Sequence, residues 1–147
     1  TEHLKVHKKD NSDYYLEIDA GLEYIDYFVE GNIIVANTPT GDQAFRVANV
    51  QKTKSKITCK CYHVFYDSKN YLVPSVTIVN KTCSEALNAV NSATEPESVF
   101  STQSDVSVTG SLTLQNKSLY ESVFDILKLY GGHLVRDNYS IKIISKY

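Results

Sequence analysis

Between Lys56 and Tyr62 the chain alternates residue by residue: Lys56-Ile57-Thr58-Cys59-Lys60-Cys61-Tyr62. Successive side chains of an extended strand point to opposite faces. Ile57, Cys59 and Cys61 therefore share one face, and Lys56, Thr58 and Lys60 share the other. A helix would scatter these apolar residues around its axis. The segment belongs in a sheet with one buried face and one wet face, as antiparallel sheets have.

The neighbouring segments agree. Tyr15-Leu16-Glu17-Ile18-Asp19 alternates in the same way. Leu22 to Val29 is aromatic-rich and reads as a short helix or an irregular segment, and Glu30-Gly31-Asn32 breaks the chain. Ile33-Ile34-Val35-Ala36 reads as a short strand. A turn signal follows in Asn37-Thr38-Pro39-Thr40-Gly41-Asp42, and Ala44 to Val50 returns as the partner strand of a hairpin. Tyr62 to Tyr71 either continues as strand or turns into a short helix, and Val76 to Val79 is a further strand.

The second half changes period. Thr82-Cys83-Ser84-Glu85 and Ser118-Leu119-Tyr120-Glu121 are capping boxes, in which a hydroxyl and a carboxylate three residues apart satisfy free N–H groups. Cys83, Ala86, Leu87 and Val90 follow the first at helical spacing. Leu119, Val123, Ile126, Leu127 and Tyr130 make one apolar stripe after the second, which Gly131-Gly132 stops. These features predict helices near 82–93 and 118–130. Between them, Ser101 to Leu114 reads as one or two strands. His133 to Ile143 reads as a hairpin within 133–145, with Asp137-Asn138 as a type I′ turn.

Composition sets the class. A chain of 147 residues holds one domain, or two small subdomains sharing a core. Hydrophobic residues make up 42% and charged residues 22%, which fits a folded chain that needs no disulfide framework. Three cysteines point to a reducing or neutral compartment. The net charge of −2 gives no overall basicity for nucleic acid and no polybasic tail for a membrane surface. No apolar run approaches the ~20 residues that cross a bilayer, and the polar start Thr1-Glu2-His3-Leu4-Lys5 does not read as a signal peptide. The N-x-S/T triplets at Asn80, Asn116 and Asn138 are read as unglycosylated. The chain has no methionine, begins at Thr1 and stops at Tyr147, so it is expected to be a piece of a longer polypeptide.

Charge is unevenly spread. Thr82 to Leu127 carries six acidic residues and one basic residue, Lys117. Ala44 to Tyr66 carries five basic residues and no acidic one. A solvated surface accounts for this, and head-to-tail association or a charged partner is the sharper alternative.

The sharpest chemical constellation is Cys59-x-Cys61-x-His63, with Cys83 or His133 as a fourth ligand for zinc. Its strand spacing departs from the usual C-x(2–4)-C knuckle, and Ile57 on the same face favours buried core cysteines. A Cys59–Cys61 disulfide is geometrically poor on a flat strand. No nucleophile–His–acid set assembles: His3 and His7 lie near the start, His63 at a strand end and His133 at the head of a hairpin. Glu95 and Glu97 flank Pro96 in what reads as a solvated turn. Gly131-Gly132 follows a helix instead of opening one, so it cradles no phosphate. Eleven tyrosines and five phenylalanines are the unusual component. Core and interface packing is the reading for the clusters Tyr24, Tyr27, Phe28 and Tyr62, Phe65, Tyr66, Tyr71, with a sugar or base platform as the alternative. No catalytic, cofactor-binding or metal residue is assigned.

The order of segments resembles the N-terminal region of phage tail-associated proteins. The resemblance is carried by Glu30-Gly31-Asn32-Ile33-Ile34, Ala44-Phe45-Arg46-Val47, Lys56 to Asp67, Asn80 to Leu87 and Ser104-Asp105-Val106. It is carried above all by Leu129-Tyr130-Gly131-Gly132-His133-Leu134-Val135-Arg136-Asp137-Asn138-Tyr139-Ser140-Ile141-Lys142. The family is also called phage minor structural protein, tail-associated lysin (Tal) or prophage endopeptidase tail.

The resemblance implies a baseplate hub at the virion tail tip, made in the bacterial host cytoplasm. It implies a trimer of the full-length protein beneath a ring of distal tail protein, in contact with other tail proteins. Such a hub closes the tail tube; DNA passes through without specific binding, and nothing inserts in a membrane. The fold expected is α+β: mainly antiparallel β in a barrel-like hub subdomain, two amphipathic helices and a C-terminal helix–hairpin unit. The domains expected are residues 1–73, β-rich, and 74–147, α+β. A structural role is expected rather than an enzyme, with a fragment of a tail-associated peptidase or cell-wall hydrolase as the alternative. No catalytic residue of the family maps onto this sequence, and no cofactor is implied.

Overall fold

The computed structural model of the protein describes residues 3–146. Thr1, Glu2 and Tyr147 lie outside them. The chain divides into two compact units between Val64 and Phe65. The fold is mainly antiparallel β with a few helices, consistent with α+β.

The first unit is a sheet of five strands curled into half a barrel. They are β1 (His3–Lys8), β2 (Tyr14–Gly21), β3 (Ile33–Thr38), β4 (Gly41–Lys52) and β5 (Lys56–His63), in the spatial order β1-β2-β5-β4-β3. Every neighbouring pair is antiparallel. The one-residue alternation read in the sequence sets the inner face. Tyr14, Leu16, Ile18 and Ala20 of β2, Phe45 and Val47 of β4, and Ile57, Cys59 and Cys61 of β5 are all buried there. Each large apolar side chain sealed in this way contributes about 2 kcal/mol.

Two irregularities bend the sheet. Gly31 donates its N–H to the Val47 carbonyl, and the Val47 N–H donates to Asn32. Two residues thus face one, with Gly31 at φ +93°, which is the geometry of a glycine bulge. The β4–β5 register shifts between Val47 and Asn49. A 3-10 helix, Leu22–Tyr27, links β2 to the bulge and resolves the aromatic segment that the sequence left open.

Another 3-10 helix, Val64–Asn70, leads into the second unit and settles the ambiguity of Tyr62 to Tyr71. β6 (Leu72–Thr82) pairs with β8 (Thr109–Ser118) as a two-stranded ribbon. β7 (Ser101–Ser104), β9 (His133–Asp137) and β10 (Ser140–Ile144) form a three-stranded sheet, in which β7 runs parallel to β10. α1 (Cys83–Ser92) and α2 (Leu119–Tyr130) both start with complete capping boxes, on Thr82 and Glu85 and on Ser118 and Glu121. The predicted stripes face inward: Cys83, Ala86, Leu87 and Val90 from α1 meet Leu119, Val123, Ile126 and Tyr130 from α2 in one core. Val106 and Val108, read as strand positions, fall between β7 and β8.

The terminal hairpin differs from its predicted turn. Asp137 pairs with Ser140 and closes β9, so the turn residues are Asn138 and Tyr139. Among the described residues of this turn only Asn138 has positive φ, so the turn is not type I′. Tyr139 is held by its ring, 5.4 Å from that of Phe100, and by its carbonyl, which accepts from the Ser101 N–H. Arg136 in this hairpin is 2% exposed, and its guanidinium lies 5.7 Å from the centre of the Phe65 ring.

The two glycines after α2 are unequal. Gly131 has open space around it, whereas a Cβ on Gly132 would meet the Ile144 carbonyl oxygen at 2.6 Å. Gly131→Ala is expected to lose about 2 kcal/mol, because its backbone at φ +75° and ψ −173° is essentially glycine-only. Gly132→Ala adds the clash with Ile144 to its own positive φ and is expected to lose still more, read from urea midpoints at constant m. Equal losses would contradict the close approach of β10.

Candidate functional site

The Cys59, Cys61 and His63 constellation lies on the inner face of β5, as the spacing requires. It is sealed: Cys59 is 1% exposed, Cys61 0% and His63 0%. Cys59 sits between Ile18 and Val50, and Cys61 between Leu16 and Val47, its cross-strand partners. Burial pushes both thiols up, and burial with the neighbouring Cys59 takes Cys61 to about 12. A metal needs thiolates, and this environment holds the protons on.

His63 has its own partner. One ring nitrogen lies 2.8 Å from Gln43 Oε1, and Gln43 is itself buried. The ring stacks on Tyr14 at 4.4 Å and meets Phe45 edge-on. Cys83 and His133, read as possible fourth ligands, belong to the second unit. Cys83 opens α1, buried, with its thiol pushed up by burial. All three cysteines are free, and no cluster of three or more metal-ligating side chains occurs among the described residues. Glu95 and Glu97 are exposed, and the Glu95 backbone pairs with Leu72.

The sequence did not disclose the outer face of the half-barrel. One cross-strand row runs over all five strands: His7, Tyr15, Tyr62, Arg46 and Ile33 are successive register partners. His7 stacks on Tyr15 at 4.5 Å and 14°, and its Nε2 lies 3.1 Å from Glu17 Oε1. Tyr15 and Tyr62 lie 6.1 Å apart. The Lys60 ammonium rests over both rings, at 4.3 and 5.3 Å, and its bond with Tyr62 raises its pKa. The His7 and Tyr15 faces are turned toward each other and the Tyr15 and Tyr62 faces are shared with Lys60. Cross-strand pairs of this kind stabilise a sheet, and they leave little ring face for a sugar or a base.

A shallow groove of about 400 Å³ lies beside this row, lined by Glu17, Glu30, Asn49, Gln51, Thr58 and Lys60 among others. Its carboxylates and ammonium are those of a wet sheet face. The register-dependent row was invisible because adjacency across strands is not encoded by spacing along one strand.

The architecture has close counterparts among solved structures. Over 97% of its length the chain matches the crystal structure of prophage tail protein gp18 from Listeria monocytogenes EGD-e, with TM-score 0.76 and 12% identity. The chain shares its fold with phage tail proteins. A tail protein from Neisseria meningitidis MC58 matches with TM-score 0.65 and 10% identity, again over 97% of this chain. The 43 kDa tail protein of prophage MuSo2 from Shewanella oneidensis matches with TM-score 0.54 and 13% identity, over 97%. The chain spans 43%, 50% and 53% of those three chains, about half their length. No protein-family model and no curated protein sequence matches it.

The sealed thiols give a direct test. At pH 8 a thiol reagent such as Ellman's is expected to leave Cys59, Cys61 and Cys83 unmodified in the native chain and to titrate all three in denaturant. Rapid native labelling of Cys59 or Cys61 would contradict the burial of the inner face.

Proposed function

We propose that this chain is a structural component of a phage or prophage tail. In this reading it is the N-terminal part of a baseplate hub of the tail-associated protein kind, sited at the tail tip. One observation carries the proposal: the whole described fold, both units included, recurs in three tail proteins whose sequences are 10–13% identical to it. Agreement over 97% of a chain at such low identity reflects a conserved architecture.

The role follows from what the residues offer. The half-barrel buries Cys59, Cys61 and His63, the residues from which a peptidase or metal site would be built, and this supports a structural role over the hydrolase alternative. The first unit instead presents edges and an outer face, the parts of a sheet through which assemblies are made. The hub would be a trimer of the full-length protein beneath the distal tail protein ring, joined to other tail proteins. It would close the tail tube, and a chain of net charge −2 suits a conduit that lets DNA pass without specific binding. No helix among the described residues is long and apolar enough to cross a membrane.

Antibody raised against this chain, applied to intact particles from the source lysogen and viewed by negative-stain electron microscopy, tests the proposal. Label confined to the tail tip is expected. Label elsewhere on the particle, or only in unassembled lysate, would overturn it.

A further inference from the structure

The two open edges of the half-barrel are chemically opposite. β3, at one edge, reads Ile33-Ile34-Val35-Ala36-Asn37-Thr38 and carries no charge. Ile33 is 45% and Val35 64% exposed, and Val29 just before the strand is 51% exposed. Hydrogen-bonded and non-hydrogen-bonded pairs alternate along an antiparallel ladder. The bulge bonds Asn32 to Val47, so Ile34 and Ala36 face β4 with their backbone, and Ile33, Val35 and Asn37 aim N–H and C=O at the free edge. Such an edge is normally blunted by lysine or proline within the strand. β3 has neither. The stretch from Leu22 to Gln43 that contains it holds Glu23, Asp26, Glu30 and Asp42, and no Lys, Arg or His.

β1, at the other edge, is the reverse. From His3 to Lys9 the chain holds Lys5, Lys8, Lys9, His3 and His7 and no carboxylate. Each step across the sheet reverses direction, so four steps restore it and β1 and β3 run the same way.

We propose that β3 of one copy pairs with β1 of the next, head to tail, so that the half-barrel sheet continues from copy to copy. The occupant is a second copy of this chain because an uncharged strand in an acidic stretch meets a strand in a basic one, and both belong to one sheet. Opposite charge in the two stretches rewards this junction, whereas β3 on β3 brings two acidic stretches together. A head-to-tail junction is heterologous and closes into a ring when the rotation allows. The inference rests on the self-association within the tail reading, and the two fail separately: tail-tip label without the junction removes only this proposal, and the junction without label removes only the tail reading.

Lys5 and Val35 are the test positions. Both are exposed, both lie mid-strand, and both point to the outer face, opposite Glu17 and Ala44 respectively. The variants Lys5→Cys and Val35→Cys are oxidised with glutathione disulfide singly and as an equimolar mixture, at low salt. Disulfide-linked dimer in the mixture, and a ladder of higher species in the double variant, with none from either single variant, is the result expected. Linked dimer from Val35→Cys alone would reveal two-fold β3–β3 pairing and overturn the proposal. No link in any sample, with monomer alone in sedimentation velocity, would also overturn it. As a second variant, Val35→Lys guards the edge; loss of all species above monomer with an unchanged circular dichroism spectrum is expected, and retained association would overturn the junction.

Discussion

β5 gives both of its edges to neighbours, β2 on one side and β4 on the other, and one of its faces to the core. Everything in the first unit is built outward from that arrangement. Ile57, Cys59, Cys61 and His63 point inward together, and all are sealed. Cysteine acts here as a small hydrophobe that fits between Leu16, Ile18, Val47 and Val50. His63 is a polar group in an apolar place, and the buried Gln43 carboxamide answers it. Without that partner the ring would bear the desolvation penalty of an unsatisfied polar group, about 1–3 kcal/mol. The residues best suited to chemistry are therefore fixed as core, and the outer face and edges are left to act.

The second unit solves a different problem. A two-stranded ribbon is marginal in water by itself, and β6 and β8 gain their stability from the helices laid against them. Each helix is launched by a capping box at the end of a ribbon strand, Thr82 closing β6 and Ser118 closing β8. The chain then turns back through Gly131 and Gly132, and the close approach of Gly132 to Ile144 fixes the hairpin against the end of α2. Arg136 lies in this core with its guanidinium over Phe65.

Features written into consecutive residues were legible. The alternation of β5, the capping boxes, the apolar stripes and the Asn37–Asp42 turn all translate into local geometry without help from the rest of the chain. Features set by distant partners were not. β1 alternates only weakly, as His3-Leu4-Lys5-Val6-His7-Lys8, and becomes a strand by pairing with β2. The parallel pairing of Ser101–Ser104 with β10 depends on a connection that runs through β8, α2 and β9. The turn residues of the last hairpin moved by one because the Tyr139 ring packs on Phe100, a contact across 39 residues that no turn propensity contains. The site was legible in the same measure. The face shared by Cys59, Cys61 and His63 followed from spacing, whereas the Gln43 partner and the His7-Tyr15-Tyr62-Arg46-Ile33 row follow only from register.

The half-barrel has a protected centre and exposed edges, and the tail-protein reading depends on that contrast. Amide hydrogen exchange on the dilute, monomeric chain measures it directly. The account expects the amides from Ile57 to His63 to exchange only through unfolding of the first unit, while those of Ile33, Val35 and Asn37 exchange orders of magnitude faster. Exchange at Cys59 and Cys61 as fast as at Ile33 and Val35 would contradict it.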